Sequence, residues 1–251
     1  MSMDPELPIV IVEDQPARVR EPFWDYVDLL LVGGLCFAAA LIIVLAAAGL
    51  SRVYPSLQKD PMPLALPLQI VFYGLVYLAF RVTFLVRYNA PVFKSLGWRR
   101  VSIAPVLLVL GGIALALGVS AIASLLHTPQ IKSPFDKLME SGWMIVLLAI
   151  FAVLLGPISE ELVFRGFLQP LLSRTFGVIA GVLLTAITFG CLHGPEYSWA
   201  WQYVLAVSLA GVVFGWLRAR TNSIIPSTIM HGAYNAVFVT ALIAQKYGKF
   251  K

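Results

Sequence analysis

The sequence predicts an all-α fold: a polytopic membrane bundle of about seven transmembrane helices, or eight if its one overlong segment divides. Three observations carry that prediction. Hydrophobic residues fill 59% of the 251 positions and charged residues 12%, with a mean hydropathy of +0.86, whereas soluble domains are roughly half apolar and a quarter charged. Apolar runs of about 20 residues, the length that crosses a hydrocarbon layer, recur along the chain. Lys and Arg outnumber Asp and Glu, for a net charge of +5, but they are scattered at the ends of the apolar runs. That pattern argues against nucleic acid as a partner, since phosphate binding needs a basic cluster.

Residues 1 to 25 read as a polar N-terminal tail, without the basic start, apolar stretch and small-residue cleavage site of a signal peptide. The first span is expected from about Tyr26 to Leu50, entered by Phe23 and Trp24 at headgroup level. The second runs from about Pro63 to Val86, with Arg81 snorkelling near its end. The polar stretch RYNAPVFKSLGWRR (87–100) follows, and by its Lys and Arg content it favours a cytoplasmic N-terminus. The third span is about Ile103 to Leu126. The fourth starts near Trp143 and continues to about Leu172, a helix of roughly 45 Å against a core of about 30 Å. A break or tilt at Gly156-Pro157 is expected. Spans at about Val178 to His193, Trp199 to Leu217 and Ile224 to Ala244 complete the set. Residues 26 to 140 thus form an N-terminal group of helices, and 141 to 251 a second group that carries the unusual residues. Trp98, Trp143, Trp199, Trp201 and Trp216 fall near span ends, as an aromatic belt requires. Cys36 and Cys191 lie inside apolar runs without metal-ligand spacing, so neither a disulfide framework nor a zinc knuckle is indicated.

Ionisable residues inside the fourth span set the functional question. ISEELVFRGF (158–167) places Glu160, Glu161 and Arg165 in a segment that otherwise reads as lipid-spanning. Residues four apart share a helix face, so Glu161 pairs with Arg165 as structural support, while Glu160 is rotated by roughly 100° and left free for chemistry. An unpaired carboxylate in lipid is costly, which favours a functional role. In FGCLHG, Phe189 and His193 share a face, and Gly194-Pro195 ends the helix just after His193. In HGAYN, His231 and Asn235 are four apart and project together from the last span. Taken singly, His193 and Asn235 read equally well as interhelical hydrogen-bond glue, and His127, beside Thr128-Pro129, as interfacial.

The three signals in order, EELVFR (160–165), FGCLH (189–193) and HGAYN (231–235), resemble the CPBP family of intramembrane proteases. That family includes the type II CAAX prenyl endopeptidases and bacteriocin-processing or abortive-infection proteins. SLGW (95–98) resembles a Leu-Gly-containing loop upstream in the same family. The resemblance implies that 141 to 251 is a catalytic core, that Glu160 with His193 activates a water, and that His231 and Asn235 stabilise the oxyanion. It implies a membrane-associated peptide or protein substrate, prenylated in one branch of the family, and membrane lipid as the surroundings. Family members have also been labelled metalloproteases, and Glu160, His193 and His231 are a legitimate zinc set. The metal-free version is favoured, because there is no His-Glu-x-x-His and a ligating Glu160 would no longer be the base. The alternative function is a non-catalytic immunity or scaffold protein that retains the fold. A proton-relay transporter ranks last, since only one kink candidate stands out where paired broken helices are expected.

Overall fold

The computed structural model describes residues 22–131 and 142–248. The predicted tail is therefore represented only by Pro22 to Asp25, and the boundary expected at 140 and 141 lies outside the described residues.

Six helices are long and apolar enough to cross a membrane: Tyr26–Val53, Met62–Tyr88, Pro105–Leu125, Trp143–Phe176, Trp201–Thr221 and Ile225–Tyr247. A shorter apolar helix, Val178–Leu192, lies between the fourth and the last two; its 15 residues rise roughly 22 Å. No strand occurs among the described residues. The chain is a multi-pass membrane protein built as a bundle of about seven helices. The largest departures from the expected span ends are Phe176 for Leu172 and Thr221 for Leu217, about one helical turn each.

The first span begins where Asp25 caps it, accepting from the amides of Val27 and Asp28 while Asp28 returns a bond to the Asp25 amide. This reciprocal capping box satisfies amides that a helix start leaves orphaned. Asp28 is fully buried, and Arg87 at the far end of the second span reaches it at 2.7 Å, tying the first two spans together. Trp24, expected at the entry to the first span, is turned inward. It is 3% exposed, and its indole donates to the Phe167 carbonyl at 3.1 Å. Burial among Phe80, Phe84 and Phe167 accounts for this. Trp143, Trp199 and Trp201 do remain largely exposed on the bundle surface.

The fourth span does not break at Gly156-Pro157. It runs on with helical dihedrals at Gly156 and Leu162 and absorbs its two internal prolines by widening into π turns at Phe151–Leu155 and Leu162–Leu168. In the first turn the Gly156 amide bonds back to the Phe151 carbonyl. The next carbonyl, Ala152, would need a proton from residue 157, and Pro157 has none. In the second turn the Gln169 amide bonds to the Phe164 carbonyl, and Pro170 likewise leaves Arg165 without a backbone donor. Both carbonyls are met from other helices: Asn235 Nδ2 donates to Ala152 at 2.8 Å and Arg218 Nε donates to Arg165 at 3.1 Å. Each proline in this span therefore creates a demand that a polar side chain elsewhere fills, as buried backbone groups require in lipid.

Close approach of helices completes the arrangement. A Cβ at Gly232 would stand 2.6 Å from the Val153 carbonyl, so only glycine lets the last span lie against the first π turn. Small residues at helix contacts serve this purpose in membranes.

Candidate active site

The widened fourth span presents its two glutamates to different neighbours. Glu161 is fully buried. Its Oε1 faces Arg165 Nη1 at 3.0 Å, as predicted, although Nη1 makes no directed hydrogen bond. Arg165 is also fully buried. It donates from Nη2 to the Gly211 carbonyl at 3.1 Å and packs its guanidinium carbon 4.4 Å from the Phe189 ring centre. One turn on, Gln169 donates to the Gly215 carbonyl at 2.8 Å. Two donors four residues apart thus meet two carbonyls four residues apart, which fixes the fourth span against the sixth.

The structure adds a role for Glu161 beyond the ion pair. His231 Nδ1 lies 3.1 Å from the same Oε1, and His231 Nε2 lies 3.7 Å from Glu160 Oε2. The imidazole therefore spans the two adjacent carboxylates, held by stacking on Phe214 with ring centres 4.6 Å apart. The expectation that Glu160 is free of partners is corrected: besides His231, the Tyr73 hydroxyl donates to its Oε1 at 3.0 Å. Glu160 is nonetheless the accessible member, with a side chain 19% exposed against 4% for His231 and none for Glu161.

His193 terminates the helix Val178–Leu192, and its Nδ1 lies 2.8 Å from the Phe189 carbonyl. A carbonyl can only accept, so Nδ1 carries a proton and Nε2 is the open position. The Phe189 ring packs against both histidines, 4.6 Å from His193 and 5.8 Å from His231 between ring centres. No hydrogen bond joins His193 to Glu160 or His231. Asn235 is one turn beyond His231 on the same helix, but one of its amide protons is committed to Ala152. Its second N–H is the one left for another acceptor.

Two residues beside the site were not singled out in the sequence. Tyr73 comes from the second span, where it and Gln69 form a polar pair four residues apart in an apolar run, and that spacing is the signal that could have found it. Glu196 lies three residues after His193, in GPEY. Burial raises its pKa above the ordinary glutamate value, His193 opposes that rise, and the Glu160 carboxylate adds to it, so Glu196 senses both groups. Tyr197 beside it is pushed up to about 12 by burial, with Glu196 and Tyr203 adding to the rise.

The alternative zinc set of Glu160, His193 and His231 is not drawn together as a ligand group in this structure. No three His, Cys, Asp or Glu side chains among the described residues group as metal ligands, and the Phe189 ring contacts both imidazoles.

Residues 141–237 match the model of the family described as type II CAAX prenyl endopeptidase Rce1-like. The match takes in Glu160, Glu161, Arg165, His193, Glu196, Arg218, His231 and Asn235, and leaves out Tyr73. Neither a curated protein nor a solved structure matches the chain.

Proposed function

We propose that this multi-pass membrane protein, whose residues 141–237 match the model of the type II CAAX prenyl endopeptidase Rce1-like family, hydrolyses a peptide bond in a membrane-associated substrate with a water activated at Glu160. The observation that carries the reading is the Glu161, His231, Glu160 relay inside the bundle. Glu161 accepts from Nδ1–H of His231, which leaves Nε2 of the neutral imidazole as a lone pair directed at Glu160.

Glu160 takes a proton from the water as its oxygen attacks the scissile carbonyl, and the open Nε2 of His193 helps hold that water. The proton can pass from Glu160 to His231 Nε2. The resulting imidazolium is balanced by Glu161 and donates to the tetrahedral oxyanion. Asn235 offers its second N–H to the same oxyanion, its carboxamide oriented by the bond to Ala152. When the intermediate collapses, His231 returns the proton to Glu160, which gives it to the leaving amine. No step uses a metal.

The substrate proposed is a membrane-associated peptide or protein, with a prenylated CAAX peptide as the first to offer. The N-terminus is proposed to face the cytoplasm, on the strength of the Lys and Arg in residues 87–100. The second reading, a non-catalytic scaffold, draws support from the Asn235 bond to Ala152, which is interhelical glue of the kind that role would need. Purified protein in lipid vesicles decides between them. The peptidase reading expects cleavage of the prenylated peptide that is lost in H193A; a folded protein that leaves the peptide intact supports the scaffold.

A further inference from the structure

We propose that Tyr73, on a helix outside the family-matched segment, is a positioning residue for Glu160. The inference rests on the hydrolytic reading of Glu160 and deepens it, because it makes the N-terminal helices part of the working site.

The geometry is specific. The Tyr73 hydroxyl donates to Glu160 Oε1 at 3.0 Å, and its ring lies parallel to Phe151, with centres 5.6 Å apart and planes within 6°. Phe151 opens the first π turn of the fourth span, so the phenol is braced by the same backbone irregularity that precedes Glu160. The phenol has one proton to give, and Glu160 Oε1 is the acceptor it meets.

A glutamate side chain has three rotatable bonds and two equivalent oxygens. A base acting on one water needs one oxygen aimed and the other occupied. Tyr73 occupies Oε1, and Oε2 is the oxygen turned toward His231. Without the phenol proton the carboxylate is free to rotate about its last bond, and the aimed orientation becomes one among several. The role belongs to orientation and not to substrate binding, so it acts on turnover and leaves substrate affinity alone.

The test compares intact protein, Y73F, E160Q, E160D and Y73F/E160D in vesicles, with an internally quenched prenylated CAAX peptide as probe and thermal unfolding measured alongside. Phe keeps the ring stacked on Phe151, so Y73F is expected to unfold at the temperature of the intact protein. It is expected to lose kcat by roughly ten- to a hundredfold, the worth of one hydrogen bond to a charged group, with KM within about twofold. In E160D the carboxylate is withdrawn from the phenol, and adding Y73F is expected to cost nothing more. If Y73F keeps full kcat, or multiplies its effect in the E160D background, Tyr73 does not act through Glu160 and the proposal falls. If E160Q itself retains activity, the hydrolytic reading fails instead, and the two failures are distinct.

Discussion

His231 Nδ1 and Glu161 Oε1 stand 3.1 Å apart, and that same oxygen faces Arg165 at 3.0 Å. One buried carboxylate oxygen therefore serves a guanidinium from its own helix and an imidazole from the last. Replacing Glu161 by Gln removes the countercharge of a fully buried arginine, and breaking a buried pair in this way costs about 3–5 kcal/mol. E161Q is expected to lower the unfolding midpoint strongly, whereas E161Q/R165M, which removes both charges, is expected to recover part of the loss. Denaturation of the detergent-solubilised variants measures both; an E161Q protein as stable as the original contradicts the role given to the pair.

The bond from Asn235 to Ala152 makes a second prediction. N235A leaves a carbonyl without a donor, at a cost of about 1–3 kcal/mol. In P157A the residue at 157 regains an N–H, and the helix can satisfy Ala152 itself. N235A is therefore expected to cost less stability in the P157A background than alone, a coupling that a double-mutant cycle reads directly. Additive effects would show that Pro157 is not the reason for the Asn235 bond.

Glu196 supplies the pH dependence. Its pKa lies above the ordinary glutamate value because of burial, with His193 opposing and Glu160 adding. The folded protein then holds this proton more tightly than the unfolded chain does. Its contribution to stability is complete below the unfolded value of about 4.3 and is lost as pH rises through the higher folded value. E196Q is expected to flatten that part of the curve of unfolding temperature against pH. A curve of unchanged slope would remove Glu196 from the titrating groups.

Chelation tests the metal-free chemistry. Peptide cleavage is expected to survive prolonged treatment with a zinc chelator, and the zinc content of purified protein is expected to be the same in H193A and H231A as in the original. Zinc that disappears with either histidine would favour the ligand set of Glu160, His193 and His231.

The sequence made the helices legible because lipid imposes a length and a composition on each of them; six apolar runs met both, and Val178–Leu192 met the composition at a shorter length. It made the Glu161 and Arg165 pair legible because four-residue spacing holds along one helix. Contacts between helices obey no such spacing. Nothing in HGAYN shows that His231 reaches back to both glutamates, or that Asn235 answers a proline 78 positions earlier. The Gln69 spacing could have marked Tyr73 as unusual, but not its partner: its hydroxyl matters only because the second span packs beside the first π turn. The proline at 157 was read as the site of a break or tilt, but the helix accommodated it by widening, and the carbonyl so exposed is what the last span was built to meet.

The central claim is that Glu160 activates the water. The most direct measurement is the cleavage rate of the prenylated peptide by vesicle-reconstituted E160Q, with its unfolding midpoint recorded in the same preparation. Gln keeps the shape and an acceptor for Tyr73 but cannot take a proton. The account predicts a loss of roughly 10²- to 10⁴-fold, the worth of a general base, at an unfolding temperature close to that of the original protein. Cleavage at the original rate by folded E160Q would contradict it.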